Sequence, residues 1–242
     1  VKSKHLSTPT AEAFYKSAIS DMLATGVGFL VAGTYAFCEY TEITRPTHDF
    51  DVFVKAGEYT KLLKAMEEKG YEVEITDARW LAKITKDDLF IDIIFDAASG
   101  ITPIDDIWFD HAQTFTILGF DLLTISPEDL IWSKSYRQER DKYEGPDINH
   151  IILKQGDTLN WKRLLQRMET HWEILLGHII NFRFVYPADR EKIPRWLLDE
   201  LLSRLTEQLE LPTPIDKICR GSLLSRHHYH IDIAKWGYKD MT

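Results

Sequence analysis

The chain has 242 residues, 44% of them apolar and 28% charged, with two Cys and a formal net charge of −9. That length supports one large domain or two small ones with a proper core, and the composition excludes disordered and fibrous classes. The negative balance excludes a generic binder of nucleic-acid backbone and disfavours any long nucleic acid as partner. No apolar run approaches the ~18 residues of a membrane helix, so no membrane partner is expected.

The opening VKSKHLSTPTAEAF lacks the apolar core of a signal peptide. Cys38 and Cys219 are too few for a disulfide framework, so a cytoplasmic location is the expectation. Thr8-Pro9-Thr10 is a helix start, and Phe14, Ala18 and Met22, with Ile19 and Leu23 beside them, predict an amphipathic helix ending near Gly26. Phe29–Ala32 reads as a short buried strand, and Gly33-Thr34 turns into a short helix through about Tyr40. From Asp49 to Val54 the chain alternates, with Phe50, Val52 and Val54 on one face and Asp49, Asp51 and Phe53 on the other.

A helix over about 58–69 follows, closed by Gly70. Strands are predicted at 71–75, 80–85 and 89–95, with Lys86-Asp87-Asp88 as the turn between the last two. Residues 114–118 and 122–125 read as a hairpin around Gly119-Phe120-Asp121. The character changes at Ser126-Pro127-Glu128-Asp129, a capped helix start. Beyond it nearly every periodic segment is helical. The longest pattern runs over 161–184, and Pro194 opens another helix through about Leu209. The expected organisation is α+β: a mixed-sheet core flanked by helices over 1–125, then a helical region over 126–242. All of the excess negative charge falls in residues 1–121, with 20 acidic and 11 basic residues against 18 of each in 122–242.

Three features of the first region point to chemistry. Gly33-Thr34 sits at a strand-to-helix turn, where glycine permits close backbone approach and the helix N-terminus offers N–H groups to a phosphate. Asp49 and Asp51 lie roughly 7 Å apart on one strand face, close enough for their carboxylates to converge on a metal pair about 4 Å apart. Asp92 stands within Phe90-Ile91-Asp92-Ile93-Ile94, where an acid is costly to bury unless it is paired or binds a cation. Each feature alone also has an ordinary reading: a turn, a solvated face, an acid paired with Arg. Their order along the chain is more specific than any one of them.

In that order, Ala32-Gly33-Thr34, Asp49-Phe50-Asp51 and Asp92, the sequence resembles the nucleotidyltransferase superfamily that includes DNA polymerase β and the antibiotic nucleotidyltransferases. Arg45-Pro46-Thr47-His48-Asp49-Phe50-Asp51 is similar to the form found in minimal, lincosamide-type and abortive-infection-toxin relatives. Glu128-Asp129-Leu130-Ile131, Lys134, Arg140-Asp141 and Asp147-Ile148 are similar to the helical segment that follows the sheet in them. Two departures are Thr34 in place of the usual Ser and a slightly long interval from Thr34 to Asp49.

The resemblance implies a metal-dependent nucleotidyltransferase that moves NMP from an NTP such as ATP to an acceptor hydroxyl and releases pyrophosphate. Asp49, Asp51 and Asp92 would be both catalytic residues and ligands of two Mg²⁺ (or Mn²⁺) ions, with Asp92 also placed to take the acceptor's proton. Gly33 and Thr34 would hold the nucleotide phosphates, and Lys134 would add a charge at the triphosphate. Arg45 would either touch phosphate or pin its loop. Asp96, at a strand end, is a weaker rival for the third carboxylate. The acceptor is open among a small molecule, a protein side chain and an RNA end, and a toxin role is equally open. The alternative is a non-catalytic nucleotide- or partner-binding module, regulatory or antitoxin-like, that keeps the fold. In the C-terminal region, Arg220 and Arg226 read as part of a solvated basic segment in preference to a nucleotide contact. His227, His228 and His230 match no common zinc spacing, and His171 and His178 read as half-buried core residues.

Overall fold

In the computed structural model the described residues are 7–96, 100–101 and 103–241. The chain divides into two compact units, Val1–Ser126 and Pro127–Thr242.

In the first unit, α1 (Pro9–Ala24) begins where Thr8 Oγ1 accepts the Ala11 N–H at 3.2 Å, with Pro9 tolerated at a position whose N–H has no helical partner. Then come β1 (Leu30–Val31), α2 (Gly33–Thr41), β2 (Asp51–Phe53), α3 (Tyr59–Glu68), β3 (Glu72–Asp77), β4 (Leu81–Lys86), β5 (Leu89–Ile94), α4 (Asp106–Asp110), β6 (Gln113–Ile117) and β7 (Phe120–Thr124). The seven strands form one sheet in the order β3-β4-β5-β2-β1-β7-β6. The β1–β7 and β2–β5 pairs are parallel and the others antiparallel, so the sheet is mixed. Phe14, Tyr15, Ala18, Ile19 and Met22 of α1 and Leu62, Leu63 and Met66 of α3 share one buried core with Val31, Phe50, Val52, Ile91 and Ile93 of the sheet region. The unit is α+β, as the pattern of strands and helices predicts.

Three details differ from the sequence expectation. The β2 ladder begins at Asp51, leaving Asp49 just ahead of it. The β6–β7 hairpin turns on Leu118-Gly119, whose φ values of 53° and 90° give the two-residue turn that matches strand twist; Asp121 therefore lies in the ladder opposite Thr116. Helix α4 has no counterpart in the predicted elements. Asp105 caps it by accepting the Trp108 N–H at 3.3 Å, and five residues are too few to display a period.

The second unit contains α5 (Pro127–Ser135), α6 (Gly145–Gln155), α7 (Trp161–Arg167), α8 (Trp172–Val185), α9 (Arg195–Glu210), β8 (Ile218–Cys219), α10 (Arg226–Lys235) and β9 (Lys239–Asp240). The pattern expected as one long run over 161–184 is two helices with a 3₁₀ turn at Glu169–His171 between them. Its apolar phase continues across the turn, through the buried residues Leu164, Leu165, Met168, Leu175, Leu176, Ile179 and Phe182, so periodicity alone does not reveal the break. Strands β8 and β9 form a two-residue parallel pair, too short to leave a pattern.

Helix α5 is unusual in burying Glu128, Asp129 and Lys134. Arg163 Nη2 reaches Asp129 Oδ2 at 2.5 Å, and Arg167 Nε lies 3.4 Å from Asp129 Oδ1. Glu128 Oε1 accepts the Asn160 N–H at 2.6 Å, while Asn160 Oδ1 caps α7 through the Arg163 N–H at 3.1 Å. A buried charge without partners is strongly unfavourable, so α5 depends on these arginines to stay inside. Asp129→Asn keeps the shape but leaves the two guanidinium groups undercompensated. The expected cost to the second unit is about 2 kcal/mol, read as a lower urea midpoint at an unchanged slope.

His178 is buried and its Nε2 lies 3.2 Å from the Ser135 carbonyl oxygen; burial holds its pKa below the ordinary histidine value. The native state therefore favours neutral imidazole, while the unfolded chain takes up a proton near the ordinary value of about 6.5. Its contribution is fully present above that value and is lost as the pH falls below it, by at most about 1.4 kcal/mol per pH unit. Thermal midpoints measured between pH 7.5 and 5.5 should fall less steeply in His178→Gln than in the unmodified chain.

Candidate functional site

The site starts from Phe50. Its ring is fully buried, 4.6 Å from the ring of Tyr35 and 5.5 Å from that of Tyr15. Strand alternation then directs Asp49 and Asp51 to the opposite face. In the parallel β2–β5 pair Asp51 stands opposite Asp92, and the fully buried Ile91 and Ile93 occupy the core face on either side of it. Asp49, Asp51 and Asp92, all half-buried, each offer one carboxylate oxygen, and these oxygens lie within 4.8 Å of one another. Three like charges this close repel unless cations intervene, and oxygen donors in this number and spacing suit a hard divalent cation. The donor set thus fits a divalent cation such as Mg²⁺ or Mn²⁺.

Neighbouring groups set the geometry. Thr47 Oγ1 donates to Asp49 Oδ1 at 2.7 Å. Tyr15 Oη donates to the His48 carbonyl oxygen at 3.2 Å and ties α1 to the loop ahead of β2. Burial first, and then the nearby Tyr35 and the three carboxylates, push the Tyr15 pKa up, so this donor stays protonated. Gly33 opens α2 with φ +56°, and a Cβ placed on it would stand 1.7 Å from Asp51 Oδ2: the carboxylate lies directly against the glycine. Ala32, in the N-cap position of α2, provides no side-chain hydrogen bond to the first turn. Thr34 is the next residue of that turn and is half-buried.

The other predicted residues have definite places. The Arg45 guanidinium stacks over the Phe37 ring of α2, 4.6 Å from its centroid. Lys134, in the second unit, is buried with its ammonium 2.7 Å from Glu144 and 2.8 Å from Asp147. Asp96 follows β5 and is outside the three-carboxylate group. Arg220 faces Glu173 at 3.7 Å, and His171 Nδ1 lies 3.0 Å from Tyr136 Oη. The three clustered histidines lie on α10, and among the described residues they join no metal-ligating group.

Sequence reasoning overlooked Lys83. It sits opposite Asp92 in the antiparallel β4–β5 pair, and its Nζ is 2.8 Å from Asp92 Oδ1 and 3.7 Å from the centroid of the Phe90 ring. Thr47 and Tyr15 were also without a role. Thr47 was visible two residues before Asp49, at a distance from which a hydroxyl commonly turns back on the chain.

Among the described residues no helix is long and apolar enough to cross a membrane. The fold is similar to that of the antibiotic-resistance factor ANT(2'')-Ia, at 18% identity over 69% of this chain and 97% of that one, with a TM-score of 0.47. It is also similar to the lincosamide antibiotic adenylyltransferase LnuA, solved with lincomycin bound, at 17% identity over 60% and 96%, with a TM-score of 0.42. JHP933 from Helicobacter pylori matches at 11% identity over 94% and 99%, with a TM-score of 0.38. No curated protein matches the chain. Residues 11–175, more than half of the chain and the stretch that contains all three carboxylates, match the family described as "Nucleotidyl transferase of unknown function (DUF2204)", and the chain belongs to that family.

Proposed function

We propose that the protein transfers an NMP unit from an NTP to an acceptor hydroxyl with release of pyrophosphate. The observation that carries this reading is the meeting of Asp49, Asp51 and Asp92 within 4.8 Å, with Asp51 lying against the glycine that opens α2. Asp49 and Asp51 would hold Mg²⁺ or Mn²⁺, and Asp92 would complete the set. Bound divalent cations neutralise the triphosphate and the charge that develops on the leaving pyrophosphate. Thr47 fixes the rotamer of Asp49, and Tyr15 fixes the loop that carries it. The N–H groups of Gly33 and Thr34, with the Thr34 hydroxyl, bind the β- and γ-phosphates at the α2 N-terminus.

Asp92 accepts the acceptor's hydroxyl proton. The freed oxygen forms the new bond to the α-phosphorus, and the bond from that phosphorus to the bridging oxygen breaks with its electron pair leaving on pyrophosphate. Arg45 is the candidate cation for the triphosphate, whereas Lys134 is held by Glu144 and Asp147 within the second unit. Excess negative charge in the first 121 residues repels polyanions at long range, which favours a small molecule, a protein side chain or a short RNA end as acceptor. Purified protein with Mg²⁺, each of four α-labelled NTPs and a cell extract tests the reading. Label should pass to a discrete acceptor with one or more of the NTPs. Absence of transfer with all four, under Mg²⁺ and under Mn²⁺, would overturn it.

A further inference from the structure

One row of side chains crosses four strands of the sheet in register. Glu74 of β3 stands opposite Lys83 of β4, Lys83 opposite Asp92 of β5, and Asp92 opposite Asp51 of β2. Lys83 is therefore a cation inserted next to an acidic group whose proposed task is to attract other cations. Two neighbours hold it in place. The ammonium lies 2.8 Å from Asp92 Oδ1 and 3.7 Å from the centroid of the Phe90 ring, and about a quarter of the side chain is exposed. A cation held between a carboxylate and an aromatic face is stabilised by both and is not readily displaced by a second, weakly held ion.

We propose that Lys83 is a resident counter-ion of Asp92 that withholds this carboxylate from a divalent cation until the nucleotide arrives. The inference rests on reading the three carboxylates as a metal site. Without nucleotide, the site's charge is that of three carboxylates and one ammonium, and a cation is offered Asp49 and Asp51 with a third ligand already neutralised. A triphosphate brings further negative charge and further oxygen ligands, and its cation can then compete for Asp92. Lys83 is a positioning residue in this account: it touches Asp92, not the reacting atoms. It imposes an order, with tight metal loading following nucleotide binding. The nucleotide-free protein is thereby kept from filling with metal.

The test is Mn²⁺ binding to the whole protein, followed by calorimetry and by loss of the free-ion EPR signal, which needs no turnover. In the absence of nucleotide, Lys83→Met, which keeps the aliphatic stem on Phe90, should bind Mn²⁺ at least tenfold more tightly than the unmodified chain. Lys83→Gln should do the same, and serves if the Met variant folds poorly. Lys83→Arg, with the charge restored, should bind as the unmodified chain does. Adding Asp92→Asn to Lys83→Met should remove the gain. With a non-hydrolysable NTP analogue, the unmodified chain should close most of the gap. If the unmodified chain takes up Mn²⁺ and both neutral variants match it, the role given to Lys83 is overturned while the metal site stands. If no variant takes up Mn²⁺ even with the analogue, the metal-site reading fails and the role of Lys83 fails with it.

Discussion

Asp51→Asn should lower nucleotidyl transfer by roughly a thousandfold or more while leaving the metal-free protein folded and slightly more stable. The two effects have one cause. Asp51 joins the three carboxylates: it faces Asp92 across the parallel strand pair, follows Asp49 by two residues and lies against Gly33. An amide there is a weaker ligand, and charge on the leaving pyrophosphate loses much of its compensation. In the metal-free protein the same substitution removes one of three mutually repelling charges. At about 4 Å and an effective dielectric near 20 such repulsion reaches about 4 kcal/mol, and Lys83 offsets part of it. Against the relief stands the lost attraction of Asp51 for the α2 N-terminus, about 0.3–1 kcal/mol. A net gain of about 1 kcal/mol is the expectation, seen as a higher thermal midpoint in the presence of EDTA. With a non-hydrolysable NTP analogue present, added Mg²⁺ or Mn²⁺ should raise the midpoint of the unmodified chain beyond the analogue's own effect, as any ligand of the native state does. It should do so far less for Asp51→Asn, and equal shifts in the two proteins would show that the cation binds elsewhere.

That trade of stability for a charged site explains why so much of the site was legible in the sequence. An acid between Ile91 and Ile93 contradicts the apolar run of its strand, while Asp49 and Asp51 keep the alternation with Phe50 and Val52 and so set two acids on one face. Sites of this kind are where local rules are broken for a reason. The strands themselves were legible because alternation is local. Which strand lies beside which was not, since the parallel pairing of Asp51 with Asp92 spans α3, β3 and β4 and leaves no trace in either segment.

Lys83 is a different case. The β4–β5 connection is a two-residue turn at Asp87-Asp88, with Lys86 opposite Leu89. Counting back three residues on one strand and forward three on the other places Lys83 against Asp92. Lys86-Asp87-Asp88 read as a three-residue turn pairs Thr85 with Leu89 and sets Ala82 against Asp92, so the register is one residue off until Lys86 joins the ladder. Other features had no such signal. The five residues of α4 are too few for a period, the 3₁₀ turn at Glu169–His171 interrupts no apolar phase, and the β8–β9 pair is two residues long. In α5 the sequence showed Glu128, Asp129 and Lys134, but their burial depends on Arg163, Arg167, Glu144 and Asp147, whose approach is tertiary.

Gly33→Ala should be more damaging than its size suggests, and a double-mutant cycle separates the reasons. The first is conformational: φ is +56°, and an L-residue in that region costs about 1–2 kcal/mol. The second is steric and larger. The new Cβ would stand 1.7 Å from Asp51 Oδ2, 2.7 Å from Cγ and 3.0 Å from Cβ, so the carboxylate must leave its place or the start of α2 must move. Either response disturbs the metal ligand and the phosphate-binding turn together, and a displacement of about 1 Å at a reacting centre is enough for a loss of about a hundredfold. Transfer by Gly33→Ala should therefore fall at least that far, and Mn²⁺ affinity should fall with it. In an Asp51→Ala background, Oδ2 and Cγ are gone, and of the three nearest atoms Cβ at 3.0 Å remains. The stability cost of Gly33→Ala should then shrink toward the conformational 1–2 kcal/mol, a coupling that urea melts of the four proteins can measure. Equal costs in the two backgrounds would mean that Asp51 does not lie against the glycine. The α2 turn would then have to owe its glycine to backbone conformation alone.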